Sequence, residues 1–347
     1  MQTKSARQTA AVIGLGVGEQ HARTLAADPR VELKWLVDIE TEKAEALARE
    51  IGGQAGDEST VFSDKSVTFI SIASTDDAHF GQVCSAISNE KHVFVEKPLC
   101  RTLEELLRIR EMWAITPWLG IESNLVLRMA PIYIWLKEAI RGGEFGEVYA
   151  FDADYLYGRI SKIIDGWRSE VDEYSVMSGG GVHMVDLMLF LTGQRPTAVQ
   201  TIGNKIVTRA SKFRYNDFQA STYQFDSGMI GRITSNFGCV HHHQHSMRIF
   251  GTKATFLLDD QGPRVFDKRD REMTDKFPQI TSAAVAETLP YAVLPSGKGA
   301  LIPDFLDAID SGAMLASRAQ HNFDVIAIII GSDMSQLSGR SIKIEYE

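Results

Sequence analysis

The stretch AAVIGLGVGEQ at residues 10–20 decides the fold. Its first residues are apolar, glycines follow at positions 14, 16 and 18, and residues 19–27 have the amphipathic pattern of a helix. A strand, a glycine-rich turn and a helix in this order are typical of a dinucleotide-binding unit, because glycines let the backbone approach a pyrophosphate and the helix N-terminus offers unpaired N–H groups. The residues expected to hold the pyrophosphate are Gly14, Gly16, Val17 and Gly18.

An acidic residue ends the next predicted strand. Residues 31–38 read VELKWLVD, and Asp38 lies 20 positions after Gly18, the spacing of a carboxylate that accepts hydrogen bonds from the adenosine ribose. Such a carboxylate repels a 2′-phosphate, and no Lys or Arg stands at residues 39–41, so NAD is favoured over NADP. The third glycine comes one position earlier than in GxGxxG, which predicts a turn shorter by one residue.

Two patterns divide the chain. As far as residue 122, short apolar segments alternate with amphipathic ones, which is typical of a parallel sheet covered by helices on both faces. Beyond it, period-2 alternation at residues 222–226 and 229–237 indicates an antiparallel sheet with one covered face. We therefore predict an α/β Rossmann domain over residues 1–122 and an α+β domain over residues 123–347.

Composition excludes several classes of protein. The 347 residues are 44% hydrophobic and 23% charged, as in ordinary globular domains. A formal net charge of −9 disfavours nucleic acid as a partner. Cys84, Cys100 and Cys239 lack zinc or disulfide spacing, the N-terminus lacks a signal-peptide pattern and no apolar run is long enough to cross a membrane, so we expect a cytoplasmic protein.

A second motif, KHVFVEKP, occupies residues 91–98. It contains the predicted strand 92–95 and ends in Glu96, Lys97 and Pro98, which allows a cis peptide bond. Ligands bind at the carboxyl ends of strands in open α/β sheets, and a lysine beside a nicotinamide can transfer a proton. By itself a Glu-Lys-Pro tripeptide is more typical of a solvated turn, so the interpretation of Lys97 depends on the rest of the chain.

Eight segments spread along the chain occur together, in the same order, in one protein family. They are residues 14–21, STDDAH at 74–79, KHVFVEKPL at 91–99, RMAP at 128–131, GGEFGEV at 142–148, GGGVHMVD at 179–186, FGTKATF at 250–256 and FLDAIDSG at 305–312. Through them the whole chain resembles the Gfo/Idh/MocA oxidoreductases, the group of glucose–fructose oxidoreductase and inositol dehydrogenase. Because nearly all of the chain takes part, this resemblance is far more specific than any single motif.

The resemblance implies a fold, an assembly and a cofactor site. The Rossmann domain would be followed by a large open, mostly antiparallel sheet, whose outer face joins subunits into a homodimer or homotetramer. Lys97 would lie beside the nicotinamide and the substrate, and Glu96 near the cofactor. The other residues carried over as cofactor-binding are Ser74, Thr75, His79, Asn124, Trp167 and Arg168.

The resemblance also implies a catalytic histidine, His183, which shares proton transfer with the lysine. In the family an aspartate commonly stands four positions before this histidine, but here the residue is Gly179. Asp186 matches an acid that is usually structural. The missing carboxylate must come from elsewhere or be absent, and the sequence does not choose among the nearby acids Asp165, Glu170, Asp172 and Glu173.

Residues 155–168 carry aromatic and basic side chains that suit a substrate loop, because aromatic rings stack on sugars and guanidinium groups pair with anions. Tyr155, Tyr157 and Arg159 are the expected substrate contacts, together with Lys97 and His183. The basic side chains that would suit the phosphates of a nucleotide-linked sugar are Arg159, Lys162 and Arg168. That class of substrate therefore stays open.

The run HHHQH at residues 241–245 is unusual. On a strand, His241, His243 and His245 would share one face, and three imidazoles there could bind zinc. Hydride transfer to NAD can proceed without a metal ion, so we predict no metal in the site. We expect these histidines to contact substrate hydroxyls or to pack, with His243 as the substrate contact.

Together these features predict an NAD-dependent dehydrogenase or reductase that transfers hydride between the nicotinamide and a hydroxyl or keto carbon of a sugar, cyclitol or sugar derivative. Two alternatives stay open. One is NAD-assisted glycosidic cleavage or elimination without net redox, which net NADH formation would separate from a dehydrogenase. The other is a non-catalytic NAD-binding regulator, against which the presence of both Lys97 and His183 argues.

Overall fold

The computed structural model describes residues 7–268 and 287–346. The described residues divide into two compact units. The first contains the chain as far as Met129 together with Pro295–Ile330 and Tyr346, and the second contains Ala130–Leu294 and Gly331–Glu345. The first unit extends to Met129, whereas the predicted boundary lies at residue 122. Residues 295–330 also belong to the first unit, and a single boundary cannot describe that return.

Fifteen strands and ten α-helices lie in the described residues. The strands are β1 (Gln8–Ile13), β2 (Val31–Val37), β3 (Gln54–Ala55), β4 (Phe69–Ile72), β5 (His92–Val95), β6 (Ile121–Ser123), β7 (Val148–Leu156), β8 (Ala198–Asn204), β9 (Phe218–Gln224), β10 (Ile230–Asn236), β11 (Gln244–Gly251), β12 (Thr255–Asp259), β13 (Gly262–Phe266), β14 (Glu287–Thr288) and β15 (Ile342–Lys343). The helices are α1 (Gly18–Ala27), α2 (Thr41–Ile51), α3 (Glu58–Ser63), α4 (His79–Ser88), α5 (Leu103–Ala114), α6 (Pro131–Arg141), α7 (Ser161–Ile164), α8 (Val182–Thr192), α9 (Ile302–Ser311) and α10 (Leu315–Ser338). None of these helices combines the length and the apolar character needed to cross a bilayer.

The first unit is built on a parallel sheet with the strand order β3-β2-β1-β4-β5-β6. This is the Rossmann order, and it confirms the predicted α/β class. Strands β1, β4 and β5 are buried over most of their length, as expected when helices cover both faces. Since strand order reverses between β1 and β4, the carboxyl ends of these strands form the edge where such folds bind ligands.

Helix α9 explains why a late segment of the chain joins the first unit. The ring of Phe305 packs against those of Phe69 and Phe94, with centroids 6.0 and 6.1 Å apart. Leu301 and Ile302 are fully buried in the same core. The apolar face of α9 therefore completes the cover of the parallel sheet.

The second unit is built on a nine-stranded sheet in the order β14-β13-β12-β11-β7-β10-β9-β8-β15. Strands β7 and β10 pair in parallel, and the other described pairs are antiparallel. Helix α8 packs against β7 and β10, and buried residues alternate along β7 as expected for one covered face. The predicted large, mostly antiparallel sheet is confirmed.

Candidate functional site

The glycine turn joins β1 to α1. Gly14 has a φ of +84°, and a Cβ there would lie 2.5 Å from the carbonyl oxygen of Ala73. No atom lies within 4 Å of the position that a Cβ on Gly16 would take, so this stretch of backbone is open to a ligand. A Cβ on Gly18 would lie 2.9 Å from the Ala73 methyl group, so this glycine allows α1 to pack closely on the sheet.

The N-terminus of α1 is open as well. Val17 precedes the helix and is 41% exposed, and no side chain caps the first turn. The N–H groups of this turn and the helix dipole favour an anion. A tight turn, an open backbone and an uncapped helix N-terminus together fit the pyrophosphate of a dinucleotide.

Asp38 follows β2 and reaches back to the glycine turn. Its Oδ2 accepts a hydrogen bond from the Leu15 N–H at 2.6 Å, and its Oδ1 accepts one from the Glu40 N–H at 3.0 Å. Nζ of Lys43 lies 3.6 Å from Oδ2. Burial alone would raise the pKa of Asp38, but the two N–H donors and Lys43 outweigh it and lower that pKa. Residues 39–41 contain no basic side chain, but Lys43 in the first turn of α2 reaches back to the strand end.

The loop after β4 carries three predicted cofactor contacts. The Ser74 hydroxyl donates to Gln82 Oε1 at 2.6 Å, and Thr75 is exposed. His79 is fully buried, with Nδ1 2.7 Å from the Pro98 carbonyl oxygen and Nε2 3.3 Å from the Ser74 carbonyl oxygen. His79 thus ties this loop to the segment that carries Lys97, and its contact with a cofactor stays a prediction.

Glu96 is the centre of a polar network at the ends of β4, β5 and β6. Its Oε1 accepts a hydrogen bond from Asn124 Nδ2 at 2.6 Å and lies 3.4 Å from His21 Nε2. Nδ1 of His21 lies 3.0 Å from the Ser71 hydroxyl. Burial alone would raise the pKa of Glu96, but the hydrogen bond to His21 and the electrostatic attraction of His21 and Lys97 lower it to about 2. The network therefore holds a carboxylate.

Sequence reasoning did not assign His21 a role. It belongs to the segment that carries the family resemblance, and it is fully buried in α1. In the sequence, His21 is a polar residue on the apolar face of a predicted helix. That position indicates burial, but it does not reveal that the ring contacts Glu96.

Lys97 directly follows this carboxylate. Its backbone N–H donates to Glu96 Oε2 at 3.3 Å, and the Lys97–Pro98 peptide bond is cis. Gly14, Asp38, Asn124 and Lys97 all follow strands of the parallel sheet and therefore lie at one sheet edge. The structure thus brings together the predicted residues that the first unit contributes.

In the second unit, the predicted substrate contacts gather around Tyr155. The centroids of the Tyr157, His183 and His243 rings lie 6.0, 6.1 and 5.2 Å from that of Tyr155. The guanidinium of Arg159 lies 5.7 Å from the Tyr157 ring centroid. Tyr155 is 5% exposed, and burial raises the pKa of its hydroxyl, so Tyr155 is a protonated packing platform for the other rings.

Trp167 and Arg168 form a stacked pair in the short 3₁₀ helix Trp167–Ser169. The guanidinium lies 4.4 Å from the Trp167 ring centroid. The charge of Arg168 also acts on Tyr155, whose pKa it lowers against the larger effect of burial. The pair therefore lies near the Tyr155 cluster, and its contact with the cofactor stays a prediction.

His183 follows a π-helical turn, Met177–Gly181, whose glycines allow close approach. A Cβ on Gly180 would lie 2.3 Å from the Tyr155 ring. A Cβ on Gly179 would lie 2.0 Å from the Tyr174 hydroxyl oxygen. The phenol of Tyr174 therefore fills the space where the side chain of an aspartate at residue 179 would begin.

Two of the four nearby acids considered as replacements, Asp172 and Glu170, pair with basic residues. Asp172 is bonded to Arg214 at 2.6 Å, and its side chain is 85% exposed. Glu170 lies 3.6 Å from Lys212 and is also exposed. Sequence reasoning missed Tyr174, because it considered only acids for the position.

The expectation that His241 shares a strand face with His243 and His245 is wrong. Strand β11 begins at Gln244, and His241 lies before it, stacked on His242 with ring centroids 4.2 Å apart. His243 and His245 stay together, with centroids 4.9 Å apart. The chain turns before the strand begins, so strand periodicity does not apply to His241.

Comparisons with known proteins agree with this architecture. The family model described as "Oxidoreductase family, NAD-binding Rossmann fold" matches residues 9–115, and the model described as "GFO/IDH/MocA C-terminal domain" matches residues 133–257. The inositol 2-dehydrogenase of Salmonella typhimurium is 29% identical over 345 residues, which cover 92% of this chain and 96% of the relative. The scyllo-inositol 2-dehydrogenase (NAD(+)) of Bacillus subtilis is 28% identical over 264 residues, 72% of each chain.

Solved structures share the fold at lower identity. Levoglucosan dehydrogenase, in complex with NADH and levoglucosan, superposes with a TM-score of 0.81 at 19% identity and covers 97% of this chain and 99% of its own. An oxidoreductase domain protein from Kribbella flavida has a TM-score of 0.81 at 19% identity, over 98% of this chain and 100% of its own. Because the two family models together match well over half of the sequence, the chain belongs to the Gfo/Idh/MocA family of oxidoreductases, whose N-terminal domain is an NAD-binding Rossmann fold.

Proposed function

We propose that the chain is an NAD-dependent dehydrogenase or reductase that acts on a CH–OH or keto carbon of a sugar, a cyclitol or a sugar derivative. The observation that carries the proposal is the network of Glu96, His21 and Asn124, which holds the backbone of Lys97 at the same sheet edge as the glycine turn. The inositol dehydrogenases among the relatives support a polyhydroxylated ring as the substrate.

Lys97 and His183 are the proposed proton-transfer pair. Bound NAD supplies the hydride acceptor for alcohol oxidation. Lys97, with His183, takes up the hydroxyl proton, and ketone reduction is the reverse. Glu96 stays ionised and orients the segment that carries Lys97.

The cofactor-binding residues have distinct proposed roles. The glycine turn and Val17 hold the pyrophosphate, and Asp38 accepts hydrogen bonds from the ribose, which favours NAD over NADP. Asn124 Oδ1 is a buried acceptor for which the described residues provide no hydrogen-bond donor, and it suits the carboxamide of the nicotinamide. The remaining proposed contacts are Ser74, Thr75, His79, Glu96, Trp167 and Arg168.

The Tyr155 cluster is the proposed substrate platform, with Tyr157, Arg159 and His243 as contacts. The uncovered face of the second sheet is the proposed assembly surface for a homodimer or homotetramer. Ile202 and Ile230 on this face are 72% and 53% exposed, which supports burial by a second copy.

The test is a substrate panel with NAD⁺ or NADP⁺, in which NADH or NADPH formation is followed by absorbance. The panel contains inositols, anhydro sugars, free sugars and nucleotide sugars. The proposal expects NADH to accumulate with at least one polyol or sugar. Conversion of a glycoside without NADH would favour cleavage or elimination, and NAD binding without any conversion would favour a regulator.

A further inference from the structure

Two histidines and a carboxylate meet outside the residues proposed for redox chemistry. His241 and His242 lie in the connection between β10 and β11, and Asp260 lies in the turn between β12 and β13. One ligand atom from each residue lies within 4.8 Å of the other two. We propose that these three residues bind a divalent transition-metal ion of the Zn²⁺ type.

The distances suit ligands of a single ion. Nε2 of His241 lies 3.4 Å from Asp260 Oδ2, and Nε2 of His242 lies 3.5 Å from Asp260 Oδ1. Around a tetrahedral zinc with bonds of about 2.0–2.1 Å, neighbouring ligand atoms are separated by about 3.3–3.4 Å. Each histidine therefore lies at about this separation from one oxygen of Asp260, and the three ligand atoms lie within 4.8 Å of one another.

His241 also presents the correct nitrogen. Its Nδ1 lies 2.9 Å from the carbonyl oxygen of His242. A carbonyl oxygen only accepts hydrogen bonds, so Nδ1 carries a proton. Nε2, which lies 3.4 Å from Asp260 Oδ2, is then the ring nitrogen that can bind an ion in the neutral imidazole. An imidazole held in this way through its second nitrogen is the usual arrangement of a metal-ligating histidine.

Both segments that carry the ligands have a fixed backbone. A Cβ on Gly158, which has a φ of +56°, would lie 1.6 Å from the His241 carbonyl oxygen, so the histidine segment rests directly on this glycine. Asp260 begins a two-residue hairpin turn, in which Asp259 pairs with Gly262 and accepts the Gln261 N–H at 2.9 Å. The backbone entropy of these two segments is therefore already lost on folding, and an ion has to order only the side chains.

The guanidinium of Arg264 is engaged away from Asp260. Arg264, the basic residue of this hairpin, bonds to Asp259 and Gln261, which leaves the carboxylate of Asp260 to the histidines. Two imidazoles and one carboxylate favour Zn²⁺, Ni²⁺ or Cu²⁺ over Mg²⁺ and Ca²⁺, which prefer oxygen ligands.

The exposure of the cluster defines the kind of site. The side chains of His242 and Asp260 are 68% and 63% exposed, so water would complete the coordination shell. His243, which follows directly, belongs to the Tyr155 cluster. A bound ion would therefore hold the segment that leads into the proposed substrate platform.

The test is calorimetric titration of untagged, chelator-treated protein with Zn²⁺ at neutral pH. The proposal expects a site that weakens about tenfold or more in Asp260→Asn and in His242→Gln, since loss of a ligand should cost at least as much as loss of an outer-shell partner. Asp226→Asn, which changes an exposed carboxylate in the β9–β10 turn, is the matched control and should leave affinity unchanged.

A second measurement keeps the proposal testable if one variant folds poorly. Co²⁺ should give the visible absorption of a four-coordinate site in the wild type and in Asp226→Asn, and this band should be lost in Asp260→Asn. Absence of Zn²⁺ binding by the wild type would overturn the proposal. Equal affinity in the wild type, Asp260→Asn and His242→Gln would also overturn it, because the ion would then bind elsewhere.

Discussion

Two enclosed carboxyl groups, one in each unit, have pKa values shifted in opposite directions. Burial would raise the pKa of Glu96, but the hydrogen bond to His21 and the attraction of His21 and Lys97 lower it to about 2. Burial does raise the pKa of Asp333, to about 6, although Ser175 and Gln219 donate hydrogen bonds to it. Neutral hydrogen-bond donors only reduce the rise in pKa that burial causes, whereas a nearby cation can turn that rise into a fall.

The two carboxyls also mark two ways of holding a functional residue. Glu96 fixes the Lys97 segment through charge. Asp333 accepts a hydrogen bond from Ser175 at 2.6 Å, and Ser175 accepts the Met177 N–H at 3.0 Å at the start of the turn that leads to His183. We call the surroundings of Glu96 and Lys97 the first region, and the surroundings of Asp333 and the turn before His183 the second region. We expect substitutions in the first region to change catalysis and charge, and substitutions in the second region to change packing and stability.

The largest expected effect is on Lys97. We expect Lys97→Met to lower turnover by about 10²- to 10⁴-fold, because a positioned proton-transfer group contributes that much. NAD affinity, measured by fluorescence titration, should change by less than about threefold, since Lys97 is proposed to act on the substrate proton. Lys65→Met, which changes an exposed lysine, is the control, and a fully active Lys97→Met would remove Lys97 from the mechanism.

The pH dependence of stability tests Glu96. Because its pKa falls from the ordinary 4.5 to about 2 on folding, the carboxylate stabilises the fold above pH 4.5 and loses that contribution as pH falls toward 2. The loss is at most ~3 kcal/mol, because a difference of one pKa unit corresponds to about 1.4 kcal/mol. Urea unfolding at several pH values should show the advantage of the wild type over Glu96→Gln shrinking with acidification. A constant difference would contradict the charged network.

Asp333 should behave in the opposite sense. Its pKa rises from the ordinary 3.8 to about 6 on folding, so its protonated form stabilises the fold at low pH and this contribution is lost as pH rises from 3.8 to 6. Relative to the wild type, Asp333→Asn should gain up to ~3 kcal/mol of unfolding free energy between about pH 4 and pH 7. Urea unfolding at several pH values measures this difference in unfolding free energy. If Asp333→Asn instead became more stable relative to the wild type as pH falls, a cation would have to face Asp333.

Packing in the second region is tested by Gly180. A Cβ there would lie 2.3 Å from the Tyr155 ring and 2.9 Å from Phe237, so Gly180→Ala should lower the free energy of unfolding by about 1–3 kcal/mol. Gly81→Ala is the matched control, because Gly81 lies in α4 with open space around it and alanine favours a helix by up to about 1 kcal/mol. Equal free energies of unfolding for the two variants would mean that the Tyr155 and Phe237 rings can move aside for the added methyl group without loss of stability.

The smallest effect is expected at Lys43. Its ion pair with Asp38 is 39% exposed on the lysine side, and such pairs contribute about 0.2–1 kcal/mol or less. Lys43→Ala should therefore change NAD affinity by less than about threefold, because the Leu15 and Glu40 N–H groups still hold the carboxylate. A much larger loss of NAD affinity would show that Lys43 is needed to hold the Asp38 carboxylate in place.

Local pattern was sufficient for much of the fold and part of the candidate site. The glycine turn, Asp38 at a strand end and Lys97 after β5 were predicted, because each depends on a few neighbouring residues. The short helix α3 was not predicted, since its signal is one cap, in which Asp57 accepts the Thr60 N–H at 2.8 Å. The face shared by His241, His243 and His245 was predicted wrongly because strand β11 begins only at Gln244.

By itself the sequence determined the Rossmann class and the residues that lie at the carboxyl edge of the first sheet, because hydrophobic periodicity and turn chemistry act over short distances along the chain. The family followed from the resemblance of eight sequence segments in their order. Only the tertiary structure decided which groups meet. His21 reaches Glu96, the Tyr174 hydroxyl fills the space beside Gly179, and the segment from Pro295 to Ile330 returns to the first unit. These contacts depend on how helices and sheets pack, and packing joins residues whose separation along the chain carries no local signal.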